Sequence, residues 1–283
     1  MSTELFKEGI NLTSRHLRDL QSESDHRNLE IKKVGVKGLS YPIVVQDRAK
    51  GTQHTVASIQ MSVLLPHHFR GTHMSRFIEI LNRYRGYIAA DNLQEILAEM
   101  RRRLKADMAH MELEFPYFIE KQAPLSKARG LQEYICRFIA TEGRSPEDSD
   151  FILVVNVPVT SLCPCSKEIA EVGAHNQRSI VTIGVRYKAF IWIEDLVAMA
   201  EESASSALYP LLKRRDEKYV TEHAYHNPRF VEDLVREVAL RLENTEAVTW
   251  YRVEAENFES IHNHSAYALI ENHKSGLLHQ KPV

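Results

Sequence analysis

The stretch "TVASIQMSVLLPHHFRGTHMSRFIEIL", residues 55–81, changes its apolar period midway, and few features restrict a fold more. Ile59, Met61, Val63 and Leu65 alternate with Ser58, Gln60 and Ser62, the spacing of a strand with one buried face. Beyond Pro66, Met74, Phe77, Ile78 and Leu81 follow a helical stripe, and Leu93, Ile96, Leu97, Met100 and Leu104 make a second. Asn92 with Glu95 predicts a capping box for that second helix. "MELEFPYFIEKQ", "LQEYICRFIATEG" and "FILVVNVPVTS" return to extended character.

The same order then recurs. "RSIVTIGVRYKAF" alternates through Val181, Ile183, Val185 and Tyr187. A helical stripe runs through Leu196, Met199, Ala200, Ser203 and Ala207 up to Pro210. Another runs through Val231, Leu234, Val235, Val238 and Leu242, with Asn227 expected as its cap and Pro228 in its first turn. "AVTWYRVEAENF" and "SAYALIENH" close the chain as two strands. Strands, a helical pair, then strands, twice over, predict an α+β fold with antiparallel sheets rather than alternating βαβ units. The polar segment "TEGRSPEDSD", 141–150, is the expected boundary. The expected organisation is an N-terminal arm (1–30), a first module (31–145) and a second (146–283).

Bulk properties narrow the setting. A net charge of -2 gives no general attraction to nucleic acid or anionic membrane. No apolar run reaches the length of a membrane span, and the first residues lack the apolar core of a signal peptide. Three cysteines, an odd number, argue against a disulfide framework, so a cytoplasmic location with reduced thiols is expected.

Two of those cysteines stand in "SLCPCSKEIAEVGAHNQRS", with His175 twelve positions after Cys163. Thiolate and imidazole suit zinc and similar divalent ions. Cys163 and Cys165 are too close for both to bind as zinc-finger cysteines do, so one sulfur ligand with a second thiol nearby is the easier geometry. Two small buried thiols are the competing reading. Cys136, inside a strand pattern, reads as core. "NFESIHNHSAYA" places Glu259, His262 and His264 between two strands, where they could meet the cysteines or simply face water. "KRRDEKYVTEHAYHNPRF", with Glu217, reads as a solvated charge run, and "RRRLK" as the solvent side of a helix. "HHFRGTHMSR" sets His73 and Arg76 at a strand-to-helix turn suited to a phosphate.

Together, "KVGVKGLSYPI", "HHFRGTHMSRF", "SLCPCSKEI…GAHNQRS" and "AENFESIHNHSAYA" resemble the GTP cyclohydrolase IB family, along nearly the whole chain. The resemblance implies the tunnelling fold, two strand–helix–strand modules in tandem, assembled as a homotetramer with active sites between subunits. It implies conversion of GTP and water to formate and dihydroneopterin triphosphate. It places metal ligands at Cys163, His175, Glu217 and His262, with one divalent ion per site: manganese or zinc, with iron a third candidate. Catalytic roles fall on Cys163, Glu259 and Cys165, and the guanine anchor on Glu232. His73 and Arg76 are expected to hold the triphosphate. A nitrile reductase of the same fold would need a Glu-Ser-Lys-type segment, which this chain lacks. A non-enzymatic protein tied together by a metal is the other alternative.

Overall fold

A computed structural model describes residues 19–274. Most of the expected N-terminal arm, residues 1–18, lies outside that range. The first half of the chain runs β1 (Ile31–Asp47), β2 (Gly51–Leu65), α1 (Met74–Arg83), α2 (Leu93–Leu104), β3 (Ala109–Gln122) and β4 (Arg129–Glu142). The second opens with β5 (Asp150–Leu162), α3 (Pro164–Ile169), β6 (Asn176–Tyr187) and α4 (Ile193–Ser203). It continues through β7 (Ser206–Ala207), α5 (Arg214–His226), α6 (Val231–Glu243), β8 (Val248–Asn257) and β9 (Ala266–His273).

The strands form one antiparallel sheet in the order β1-β2-β3-β4-β5-β6-β8-β9, with β7 beside β5. The ladder passes without interruption from β4 to β5, across the segment expected as a boundary. Gly143 is required there, since a Cβ would lie 2.1 Å from that of Asp148. Ala57, Ile59, Met61 and Val63 of β2 share the core with Val181, Ile183 and Val185 of β6, as their alternation predicts. Each Ile, Met or Val among them contributes about 1.5–3 kcal/mol when fully buried. Cys136 is fully buried, as a core thiol should be. Tyr117 donates to Glu194 at 2.8 Å and Tyr134 to Glu201 at 2.7 Å, so α4 of the second half is fastened to strands of the first.

Several local expectations are corrected. In α1 the buried face is Phe77, Ile80 and Leu81, while Met74 is exposed. Asn92 makes no cap on α2: its Oδ1 accepts from the Ala89 N–H and its Nδ2 donates to Tyr87 O. Glu95 accepts instead from the Tyr84 hydroxyl. Asn227 closes α5 and donates to His223 O, and the residue at the cap of α6 is Phe230, whose N–H is taken by Asp233. Ala207 has left α4 and pairs with Val159 in the sheet. "RRRLK" is not merely solvated, because Arg101 pairs with Glu142 at 2.7 Å and Arg103 with Glu79. The charge run from 213 is a helix, α5, whose buried residues are only Asp216 and Ala224.

Candidate active site

The β5–β6 pair ends at Leu162 opposite Asn176, and the next residues outward are Cys163 and His175. The Cys163 N–H donates to His175 O at 3.1 Å, extending the ladder by one bond. The intervening loop returns through Gly173, whose φ of 79° favours glycine. Cys163 caps α3, its sulfur accepting from the Ser166 N–H at 3.4 Å. Ser166 ties the two sides together, donating to Cys163 O at 3.2 Å and accepting from the His175 N–H at 3.1 Å. The thiol residue and the imidazole residue are thus fixed side by side on backbone that cannot drift independently.

Glu259 joins them from the third strand. The Phe258 N–H bonds to Arg178 O just beyond the end of β8, and this brings Glu259 Oε2 to 3.7 Å from His175 Nδ1. That oxygen is buried and has no hydrogen-bond partner among the described residues. Beneath it lies a chain of buried polar groups that the sequence reading did not single out: Gln177, Ser161, Ser179 and Asn257. A signal for them existed. Gln177 and Ser179 are in phase with Val181, Ser161 with Val159 and Asn257 with Ala255, so all four sit on core-facing positions. Polar residues that continue a buried face need partners, and here they find each other.

The remaining expected residues are more scattered. Cys165 is exposed in the first turn of α3. Glu217 is exposed in the first turn of α5. Its neighbour Asp216 pins that turn by accepting from the N–H groups of Leu125, Ser126 and Lys213. Burial opposes ionisation of Asp216, yet these bonds hold its carboxyl well below the usual range. His262 is exposed on the β8–β9 connection and stacks on His264 with ring centroids 5.1 Å apart. Glu232 is exposed in the first turn of α6, outside the buried stripe. The α5–α6 connection is held to the site by the Arg229 N–H, which donates to Leu162 O at 3.0 Å.

His73 and Arg76 lie elsewhere. They follow β2, whose Leu65 end shares a sheet margin with Ala109, Glu142 and Asp150, whereas Cys163 is at the opposite end of β5. Arg76 donates to Arg103 O at 3.2 Å, and His73 Nε2 is 3.2 Å from the Asp19 carboxylate. A single chain does not bring them to Cys163. An apolar cleft of about 570 Å³, lined by Phe138, Phe151, Tyr187 and Trp192 among others, contains none of the expected site residues.

Cys163 and His175, fixed side by side at the β5–β6 mouth, are residue types that suit a divalent ion of the zinc or manganese type. The full set of expected ligands is not drawn together, since among the described residues no three His, Cys, Asp or Glu side chains converge closely enough to hold an ion. Glu217 and His262 are exposed on flanking elements, not on the strand ends.

Comparison with known proteins decides the family. The model of type I GTP cyclohydrolase FolE2 matches residues 17–268. The chain belongs to this family. A GTP cyclohydrolase FolE2 of Geobacter metallireducens is 62% identical over 256 residues, covering 90% of this chain and 97% of that one. One from Syntrophotalea carbinolica is 61% identical over 255 residues, covering 90% and 95%. The family is one of enzymes of the GTP cyclohydrolase I type. Among solved structures, a uricase from Bacillus fastidious superposes with a TM-score of 0.54 at 9% identity, covering 86% of this chain and 93% of that one. The urate oxidase of Bacillus sp. TB-90 gives 0.52 at 10% identity, covering 86% and 100%. At such identity the likeness concerns the fold alone, and that fold is the tunnelling fold. Among the described residues no helix is long and apolar enough to cross a membrane.

Proposed function

We propose that the protein converts GTP and water to formate and 7,8-dihydroneopterin triphosphate at a site built around Cys163, His175 and Glu259. The observation that carries this reading is the juxtaposition of Cys163 and His175 at the β5–β6 mouth with the buried Glu259 oxygen 3.7 Å from the imidazole, in a chain of the FolE2 family. Cys163 and His175 would hold one divalent ion, manganese or zinc with iron a third candidate, and Glu217 and His262 would complete its ligands. When bound, such an ion supplies water activation by lowering the water's pKa to about 7. Glu232 offers two acceptor oxygens to the ring N–H and amino group of guanine. Its place in an exposed first turn leaves that carboxylate accessible to the base. Glu259 and the Cys165 thiol take the proton-handling roles, including protonation at purine nitrogen 7.

Purified protein stripped with chelator and reloaded with manganese or zinc should form a pterin from GTP, seen as fluorescence after oxidation. Absence of any pterin with every ion tried would overturn the reading.

The active assembly on this account is a homotetramer with sites shared between subunits. Among the described residues β1 and β9 are open edges of the sheet, and β9 presents exposed Tyr267 and Leu269. Open edges invite pairing with another chain. Ile169 and Val172, 83% and 92% exposed, with Phe258 and Ile261, place apolar side chains on both loops flanking the site. His73 and Arg76, remote from Cys163 within one chain, reach a triphosphate only in a neighbour's site. Mixing inactive Arg76→Ala subunits with inactive Cys163→Ala subunits should restore part of the activity. Verified subunit exchange with no recovery contradicts the shared site.

A further inference from the structure

The polar groups beneath His175 have a direction. His175 Nδ1 is 2.9 Å from Gln177 Oε1, and Gln177 Nε2 donates to Ser161 Oγ at 2.8 Å. Ser161 Oγ is 3.0 Å from Ser179 Oγ, and Ser179 Oγ donates to Asn257 Oδ1 at 2.7 Å. A hydroxyl has one proton to give. Because Ser179 gives its proton to the Asn257 oxygen, its own oxygen is left to accept, and Ser161 must be the donor between the two serines. Ser161, having spent its proton there, accepts from the Gln177 amide nitrogen. The amide oxygen is thereby the atom turned toward His175, and it can only accept.

Glu259 favours the same answer more weakly, since its oxygen stands beyond hydrogen-bond distance from Nδ1. The Glu259 oxygen 3.7 Å from Nδ1 is buried and otherwise partnerless among the described residues. A bare Nδ1 lone pair facing both an amide oxygen and a carboxylate oxygen in a buried setting is repelled by each. An Nδ1–H is attracted by each. Gln177, Ser161, Ser179 and Asn257 are all at least nine-tenths buried, so water cannot reverse the pattern cheaply.

We propose that Gln177, backed by Ser161, Ser179 and Asn257, is a positioning residue that keeps the proton of neutral His175 on Nδ1 and leaves Nε2 as the lone-pair nitrogen. Free imidazole favours the Nε2–H form only slightly, so a relay of this kind is enough to set the tautomer. The consequence for the reaction rests on the reading above: Nε2 is the nitrogen through which His175 would bind an ion, with its ring orientation fixed before the ion arrives. Asn257, on a third strand, couples the β8–β9 connection carrying Glu259 and His262 to the same lock.

The test needs neither GTP nor turnover, so it separates failure of this inference from failure of the proposed activity. Full-length protein with nitrogen-15 histidine is stripped with chelator and held near pH 8, above the ordinary imidazole range of about 6.5. Long-range proton–nitrogen spectra distinguish the tautomers, and the His175 signal is identified by its loss in His175→Gln. Wild type should show the Nδ1–H pattern. Gln177→Leu, of similar size but with no acceptor, should relax to a mixture, and Gln177→Glu, which keeps an acceptor, should retain Nδ1–H. Zinc affinity should fall about 10- to 100-fold in Gln177→Leu and recover in Gln177→Glu. An Nε2–H pattern in wild type overturns the proposal whatever the variants do. So does an unchanged tautomer or unchanged zinc affinity in folded Gln177→Leu.

Discussion

Cys163→Ala should leave a folded protein with no bound metal and with GTP turnover reduced on the order of a thousandfold or more, the effect of losing an ion that brings water's pKa to about 7. The fold should survive because Cys163 contributes little to it besides backbone. Its N–H bond to His175 O and its carbonyl bonds to Ser166 and Lys167 do not involve the sulfur. Among the described residues the thiol's one hydrogen bond is the 3.4 Å acceptance from the Ser166 N–H, a weak cap on a six-residue helix. Losing it costs about 0.5–1 kcal/mol, at the low end for helix caps. Elemental analysis and a thermal melt check both halves. Full metal occupancy in the purified variant removes Cys163 from the ligand set. A collapse of the melting temperature would instead make the residue structural.

Glu232→Gln should fail in a different way, keeping metal and stability while binding GTP about 10- to 150-fold more weakly, the equivalent of about 1.5–3 kcal/mol for a charge-assisted pair. The side chain is exposed in the first turn of α6, outside the buried set of Val231, Leu234, Val235, Val238, Ala239 and Leu242, so the substitution disturbs no packing. The amide puts a donor where guanine also presents donors. The measurement is titration of a non-hydrolysable GTP analogue into metal-loaded protein. Unchanged affinity means the base is held by another group.

The strands were legible because each buries one face, so Ile59, Met61 and Val63 or Val181, Ile183 and Val185 declare the period. α5 was hidden for the opposite reason. Only Asp216 and Ala224 of its thirteen residues are buried, and no apolar stripe forms. Asn92 and Asn227 misled because an asparagine near a helix start can as easily bond backward, which is what Asn92 does toward Ala89 and Tyr87, and Asn227 toward His223. The pairing of Cys163 with His175 could be anticipated from a glycine-containing return ahead of a strand. The relay under His175 could not be anticipated from residue type, since Gln, Ser and Asn in alternation read as a solvent face. Only their phase against Val159, Val181 and Ala255 betrays burial, and phase is ambiguous until the register is known. The roles proposed for Glu217 and Glu232 rest on the family resemblance, because an exposed carboxylate in a helix's first turn is also what any helix prefers there.

The central claim is ring opening of GTP at a site that depends on Cys163. GTP carrying carbon-13 at position 8 of the purine, incubated with metal-loaded protein, tests it most directly. The account predicts that the label leaves as formate, one equivalent for each dihydroneopterin triphosphate formed, and that Cys163→Ala releases none above background. Label retained in the nucleotide, or formate released equally well by Cys163→Ala, would contradict it.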